Sequence, residues 1–258
     1  MSLLSTVDVD DLRAEIRATY DRVAREPDAE FHFEMGRALA ARIGYPAEDL
    51  DAVPPDALAS FAGVGHALDL AALAPGDRVV DLGCGSGTDV FAAARRVGPE
   101  GRVVGIDMTP GQLAKARALR DAACLPHVAF EHAQIESLPL RARWADVVIS
   151  NGVVNLVPDK GAVFAEAARV LRPGGRLALA DIVSNREIKP TTRAKADLWA
   201  ACVAGAIVRE DYLALIEGAG LRVEQVRRNP EYRFISERAQ STCAKYGVEV
   251  IEVLAVKP

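Results

Sequence analysis

Cysteine is scarce in this sequence, and the four cysteines present are far apart and form no Cys-x-x-Cys pair. They are Cys84, Cys124, Cys202 and Cys243. Such spacing suggests neither a disulfide framework nor a zinc or other metal site. We therefore expect a reducing, cytoplasmic location.

Clusters of positive charge and long hydrophobic runs are also lacking. The chain has 31 Lys and Arg against 36 Asp and Glu, with a formal net charge of -5, and the basic residues are scattered. No stretch reaches the roughly twenty apolar residues of a membrane span, and the first residues show no basic segment followed by an apolar one. We expect a soluble, non-exported protein with neither a nucleic-acid nor a membrane partner, and the sequence leaves its oligomeric state open.

What the chain does have is a regular alternation of β-rich and helical segments after residue 75. Short apolar runs such as "DRVVDL", "GRVVGID", "HVAFEHA" and "ADVVIS" alternate with helical patterns at 88–97, 110–122 and 159–171. "GGRLALADIV" predicts a fifth strand, and "LRVEQVRR" and "VEVIEVLAVKP" predict two more. This rhythm predicts an α/β fold with a mostly parallel sheet.

Two regions interrupt the alternation. Residues 1–70 are predicted to form several helices divided by prolines, and residues 184–208 form an insertion. We predict an N-terminal helical cap at 1–70 and a main domain at 71–258, in which the 184–208 insertion covers the ligand pocket.

The stretch "DLGCGSGTD" lies where the first strand meets its helix, and ligands of open parallel sheets bind at that point. Gly83, Gly85 and Gly87 allow close backbone approach, or they merely make a tight turn. A dinucleotide fingerprint needs G-x-G-x-x-G, and Thr88 occupies the third glycine position, so a nicotinamide-dependent oxidoreductase is the weaker alternative. Asp107 closes the second strand, where a carboxylate accepts hydrogen bonds from ribose hydroxyls, and it could equally cap the next helix.

These residues resemble the class I S-adenosylmethionine-dependent methyltransferases. The matching stretches occur in the family's order and are "VVDLGCGSG", "VVGIDMTPGQL", "HAQIESLPL", "ADVVISNGVVNLV" and "RVLRPGGRLALAD". The resemblance implies a Rossmann-like fold with a seven-stranded sheet, helices on both faces, and S-adenosyl-L-methionine as cofactor, with S-adenosyl-L-homocysteine as product.

The resemblance also implies a cofactor site. Asp81 would organise the amine end, Asp107 would hold the ribose, Met108 would pack on adenine, and Asn151 would line the floor beneath the sulfonium. Met108 also suits core packing, and Glu136 also suits a solvated loop. The implied cofactor-binding residues are Asp81, Gly83, Cys84, Gly85, Gly87, Asp107, Met108, Gln112, Gln134, Ile135, Glu136 and Asn151.

Within this class, residues 40–220 are similar to the arsenite methyltransferases, which hold trivalent arsenic with a set of cysteines. Of those thiols only Cys202 has a counterpart here, since Val64 and Gly152 occupy the other two positions. One thiol cannot form that cage, and Cys243 would compensate only if the fold brought it over the pocket. We therefore expect a small organic acceptor, with arsenite methylation as the alternative.

Direct transfer of the methyl group needs alignment of the acceptor more than a covalent intermediate. The candidates for a catalytic base are His66, His32, Tyr20 and Asp197. His66 is the first choice, or else it is a hydrogen bonder at a helix start. Tyr20 matches a tyrosine that relatives place over the cofactor, and it also suits core packing.

Two residues of the insertion are further candidates for the acceptor side. Cys202 is either an acceptor-facing thiol or a small buried hydrophobe, and Trp199 either walls the pocket or belongs to the core. A non-catalytic protein that binds the cofactor or a metalloid remains a second alternative to the enzyme.

Overall fold

The protein forms a seven-stranded sheet in the part of the chain that the computed structural model describes, namely residues 9–31, 33–189, 192 and 203–258. The strand order is β3-β2-β1-β4-β5-β7-β6. The strands β1 to β5 are parallel, and β7 runs antiparallel to both β5 and β6. The bounds are β1 Arg78–Leu82, β2 Arg102–Asp107, β3 Val128–His132, β4 Ala145–Asn151, β5 Leu171–Val183, β6 Arg222–Asn229 and β7 Glu249–Val256. The predicted Rossmann-like fold is confirmed.

Helices cover the sheet and build the N-terminal region. Within the described ranges they are α1 Val9–Arg25, α2 Gly36–Arg42, α3 Ala47–Ala52, α4 Pro55–Ala59, α5 Ala67–Ala71, α6 Thr88–Val97, α7 Pro110–Ala122, α8 Lys160–Val170, α9 Arg209–Gly218 and α10 Glu237–Tyr246. The predicted helices at 88–97, 110–122 and 159–171 correspond to α6, α7 and α8. None of the described helices combines the length and apolar character needed to cross a membrane.

The register of the central strands brings three strand ends together. Leu82 at the end of β1 pairs with Ile106 of β2 and with Ser150 of β4. The residues that follow these three positions are Gly83, Asp107 and Asn151. They therefore lie next to one another at one edge of the sheet. The apolar strands are buried because helices cover both faces.

The helices at 36–71 pack in the same hydrophobic core as β1 and α6. Helix α1 packs against α7 and shares a second buried cluster with Val64 and Ala67. This arrangement leaves α1 over the edge where the strand ends meet. The insertion predicted at 184–208 begins where β5 ends, and Ser184 pairs with Val208. Most of the remainder, residues 190, 191 and 193–202, is outside the described residues.

Candidate functional site

A cavity of about 930 Å³, including its open mouth, lies at the carboxyl ends of β1, β2 and β4. Such a position, beyond the carboxyl ends of parallel strands, is where open α/β sheets bind ligands. Of the twelve cofactor-binding residues predicted above, all except Gly87 line it, and Tyr20 lines it as well. Residues distant in the sequence thus meet at the predicted place.

The glycine loop after β1 forms one wall of the cavity. Gly83 and Gly85 have φ angles of +71° and +53°, which side-chain-bearing residues rarely adopt. A Cβ at Gly83 would also overlap the side chain of Val153. Gly87 differs from the expectation, because it is the residue from which α6 begins and it faces Phe91 in the core.

Asp107 joins the second strand to both the glycine loop and α7. Its carboxylate accepts hydrogen bonds from the backbone N–H of Gly85 at 2.9 Å and of Thr109 at 2.8 Å. Burial raises the pKa of Asp107, and these two bonds oppose the shift. Asp107 therefore lines the cavity and orders the turn that leads into α7, whose N-cap residue is Thr109.

Asp81 is a buried carboxylate that lines the cavity with 2% of its surface exposed. Its side chain accepts no hydrogen bond from the described residues, although most buried acids have such partners. Burial, followed by the charges of Asp89 and Asp107, raises the pKa of Asp81 well above its usual value. This end of the cavity therefore favours a cationic group.

Asp89, in the first turn of α6, lines the same end of the cavity. Its carboxylate accepts hydrogen bonds from the hydroxyl of Tyr45 and from Nδ2 of Asn151, the latter at 3.2 Å. Burial raises the pKa of Asp89 to about 6. The sequence analysis missed both Asp89 and Tyr45.

Asn151 lines the cavity and holds the loop that follows α4. Its Oδ1 accepts a hydrogen bond from the N–H of Val64 at 2.8 Å, and its Nδ2 donates one to the carbonyl of Gly65 at 2.8 Å. The same Nδ2 lies 3.0 Å from the hydroxyl of Tyr45. The amide is thus fixed by protein contacts on several sides.

Helix α1 provides the roof of the cavity through Ile16 and Tyr20. Several contacts fasten it, and two of them involve residues that line the cavity. Arg13 pairs with Glu136 at 2.9 Å, and Nε2 of Gln112 donates to the carbonyl of Tyr20 at 2.9 Å. Glu136 therefore lines the cavity with its charge already paired.

The far end of the cavity is formed by the ends of β2 and β3. Met108, Gln134 and Ile135 line it, and Ile135 is buried in the core as well. The carbonyl of Met108 is 3.1 Å from Nε2 of His132. This end is more apolar than the end with the carboxylates, as an adenine base requires.

His66 does not line the cavity, contrary to the role of base predicted for it. Its ring packs on Tyr45 with a centroid distance of 4.3 Å, and its backbone N–H donates to Glu252 at 3.0 Å. The side chain is buried. Burial lowers its pKa. Two other predicted bases, His32 and Asp197, are outside the described residues.

The described cysteines do not form a thiol cage. Cys84 lines the cavity, but its Sγ lies beside Gly105, and burial raises its pKa well above the usual value. Cys124 is exposed beyond α7. Cys243 packs with Val203 away from the cavity, and burial raises its pKa to about 12. Cys202 and Trp199 are outside the described residues.

Val64 and Gly152, the two positions that the resemblance sets against arsenic-binding cysteines, are neighbours in the fold. A Cβ at Gly152 would be 3.1 Å from Cγ1 of Val64. Gly152 also has a φ angle of +75°, which strains any residue with a side chain. Gly152 lines the cavity, whereas Val64 lies buried behind it.

The residues present fit S-adenosylmethionine. Positive-φ glycines admit a ligand close to the backbone at Gly83 and Gly85. Asp107 lies at the strand end where ribose hydroxyls bind. The unpartnered carboxylate of Asp81 suits a cationic ligand, and S-adenosylmethionine carries both a sulfonium and an ammonium group.

Comparisons with known proteins agree with this site. A family model described as a methyltransferase domain matches residues 73–229. An arsenite methyltransferase from Halobacterium salinarum is 42% identical over 200 residues, covering 76% of this chain and 50% of that protein. The chain spans about half the length of the curated arsenite methyltransferases that it matches.

Solved structures are similar over most of the chain. An arsenic (III) S-adenosylmethionine methyltransferase from Chlamydomonas reinhardtii has a TM-score of 0.63 and 29% identity, covering 86% of this chain and 74% of that one. Geranyl diphosphate C-methyltransferase from Streptomyces coelicolor has a TM-score of 0.69 at 18% identity, covering 96% and 98%. The second likeness concerns the fold alone.

Proposed function

This chain belongs to the methyltransferase domain family, and on that premise we propose that it transfers the methyl group of S-adenosylmethionine to a small organic acceptor. The observation that carries the proposal is the cavity in which the glycine loop, Asp81 and Asp107 meet at the strand ends. A nicotinamide dinucleotide fits less well, because its pyrophosphate would lie against the uncompensated charge of Asp81.

Each part of the cofactor has residues that would hold it. Asp81 and the loop at Gly83 and Gly85 would take the amino acid portion, and Asp107 would accept hydrogen bonds from the ribose. Met108 and Ile135 would enclose the adenine. When bound, S-adenosylmethionine supplies an electrophilic methyl group on a positively charged sulfur.

The chain contributes alignment and exclusion of water. Ile16 and Tyr20 on α1 close the cavity from above, and Asn151 is immobilised below by the loop at 63–65. A rigid floor and roof favour one orientation of the acceptor, and such orientation is a large source of rate enhancement. Of the base candidates named from the sequence, only Tyr20 lines the cavity within the described residues.

The acceptor is proposed to be organic because the described thiols do not face the cavity together. Val64 and Gly152 stand where a cage would need sulfur, and the pKa values of Cys84 and Cys243 are raised, which keeps both protonated at neutral pH. Trivalent arsenic binds thiolates, so a protonated, buried thiol is a poor ligand.

Arsenite methylation is the second candidate, because the similar proteins from Halobacterium salinarum and Chlamydomonas reinhardtii carry that activity in their names.

We also propose a reducing, cytoplasmic location, which the free thiols of Cys84, Cys124 and Cys243 support.

Two experiments test the proposed function in sequence. Calorimetry with S-adenosylmethionine and with NAD is expected to show binding of the first only. Labelled S-adenosylmethionine is then incubated with a panel of hydroxyl, amine and carbon acceptors and with arsenite plus thiols. Transfer to arsenite as fast as to any organic acceptor would overturn the organic assignment, and cofactor binding without any transfer would favour a non-catalytic binding protein.

A further inference from the structure

We propose that the methyl acceptor of this protein is an uncharged, apolar molecule that binds between α1 and the turn after β4. The inference rests on the proposed function, because it names the class of acceptor that the same cavity would take. The side chains that line the cavity beside the cofactor residues carry it.

The lining of the cavity has two parts. The residues assigned to the cofactor lie at the ends of β1 and β2 and after β3. A second part is contributed by α1, by the loop after α4 and by the turn after β4. Its large side chains are apolar or aromatic, namely Ile16, Tyr20, Phe61, Leu156 and Val157. These segments are distant in the sequence, so the fold brings them together as one apolar wall.

The apolar wall borders Asn151, which the resemblance sets beneath the sulfonium. Ile16 of α1 and Leu156 of the turn after β4 belong to one buried cluster. Gly63 lines the cavity, and a Cβ at this position would overlap both the ring of Phe61 and Nδ2 of Asn151. The ring and the amide are therefore neighbours, and the wall lies beside the place where the methyl group would be transferred.

Two polar side chains of the cavity, those of Ser60 and Thr88, already have partners in the protein. The hydroxyl of Ser60 donates to the carbonyl of Val23 at 3.1 Å and accepts from Nζ of Lys115 at 2.8 Å. The hydroxyl of Thr88 donates to the carbonyl of Ala57 at 3.1 Å. A satisfied polar group gains little from a polar ligand, whereas covering an apolar wall removes it from water. The wall therefore favours an apolar acceptor.

The charge of the cavity disfavours an ionised acceptor. Among the described residues that line it, the charged side chains are the acids Asp81, Asp89, Asp107 and Glu136. A carboxylate or phosphate on the acceptor would be buried against apolar side chains and would lie near charges of its own sign. An ammonium group would be attracted to the acids, but a protonated nitrogen has no lone pair with which to attack the methyl group. An uncharged acceptor avoids both costs.

The test measures binding to the complex of the protein with S-adenosylhomocysteine, in which the cofactor side of the cavity is filled. Three probes share one aromatic body: 2-naphthol is uncharged, 2-naphthoate carries a carboxylate, and 2-naphthylmethylammonium carries a cation. In calorimetry at neutral pH, 2-naphthol is expected to bind about 10-fold or more tightly than either charged probe, because each of these buries a charge in the apolar wall.

A pair of variants locates the bound probe. Val157→Lys places a cation in the apolar wall, so it should weaken 2-naphthol about 3-fold or more and strengthen 2-naphthoate about 10-fold. The matched control is Val226→Lys, which makes the same change on β6 at a side chain that is 39% exposed and outside the cavity. This control should change neither affinity by more than about 2-fold. If Val157→Lys does not fold, as judged by thermal unfolding, Ala62→Lys takes its place, since Ala62 also lines the cavity.

The outcomes separate this inference from the proposed function. Equal or tighter binding of either charged probe overturns the inference, as does a complex with S-adenosylhomocysteine that binds none of the three. Changes of equal size in Val157→Lys and Val226→Lys would place the probe outside the apolar wall and overturn it as well. Failure of the protein to bind S-adenosylhomocysteine, before any probe is added, would overturn the proposed function itself.

Discussion

Two buried acid and tyrosine pairs in this protein look alike locally and differ in their surroundings. Tyr45 donates to Asp89, and Tyr212 donates to Asp181. Burial raises the pKa of each acid to about 6. The first pair lies at the cavity, and the second lies between β5 and α9.

The difference is in how the remaining charge is compensated. Asp181 also accepts hydrogen bonds from the backbone N–H of Ile182 and Asn155, at 2.7 and 2.8 Å, and the charge of Lys160 lowers its pKa. Asp89 accepts hydrogen bonds from two side chains, Tyr45 and Asn151, and the charge of Arg96 lowers its pKa, but it also lies near a second acid, Asp81. The comparison teaches that this fold can surround a buried acid with donors, and that at the cavity it leaves Asp81 without one among the described residues.

The largest effect is expected for Asp81→Asn. Loss of the unpartnered carboxylate should weaken S-adenosylmethionine about 100-fold, because a buried ion pair with the ligand is removed. The same change should raise the melting temperature of the ligand-free protein, since it removes an uncompensated buried charge. Calorimetry and thermal unfolding measure the two effects, and a destabilised variant would show that Asp81 has a structural partner.

The second prediction breaks the other pair. Asp181→Asn places an amide NH₂ against donors, so the free energy of unfolding should fall by about 2 to 3 kcal/mol. Chemical denaturation measures this change. If Asp81→Asn stabilises the ligand-free protein and Asp181→Asn destabilises it, the two acids differ as described. If both substitutions change the stability in the same direction, the two acids are equivalent.

The third prediction concerns pH. Because the pKa of Asp89 is raised to about 6, the folded state binds more protons than the unfolded state between about pH 4 and 6. Stability of the ligand-free protein should therefore fall as pH rises through this window. The groups whose charges act on Asp89 are Tyr45, Asp81, Asp49 and Arg96.

A bound cation favours the ionised form of the cavity acids, and so it opposes the loss of stability at higher pH. S-adenosylhomocysteine should accordingly raise the melting temperature by a few degrees more at pH 7.5 than at pH 5. Asp89→Asn should reduce the difference, and Asp181→Asn should leave it. An increment that is the same at both pH values in the wild-type protein would argue against titration of the cavity acids.

The smallest effect is expected at the roof. The pair between Arg13 and Glu136 is partly exposed, with side-chain exposures of 28% and 15%, so its loss should weaken the cofactor less than about 3-fold. Arg13→Ala is compared with Arg22→Ala. Arg22 is also on α1, and this second change removes its exposed ion pair with Glu26. Equal affinities of the two variants for S-adenosylmethionine would show that this pair does not hold the roof.

Much of the fold and of the cofactor end could be predicted from the sequence, because their signals are local. The strand patterns, the helices α6 and α7, and the glycine loop each lie within short stretches. Asp107 at a strand end was identifiable for the same reason.

The acid and tyrosine pair was not identifiable, since it depends on a contact between residues 44 positions apart. A faint signal existed, because Asp81 and Asp89 flank the glycine loop symmetrically, but an acid in the first turn of a helix is commonplace. The expectation for His66 was wrong about its position for a similar reason. That residue is placed by contacts far along the sequence, since its ring packs on Tyr45 and its backbone N–H bonds to Glu252 on β7.

The most direct test is a crystal structure of the protein with S-adenosylhomocysteine. The amino acid end of the ligand is predicted at Asp81 and the glycine loop, with the ribose at Asp107. An empty cavity, or an adenine lying at the glycine loop, would contradict the proposed cofactor site.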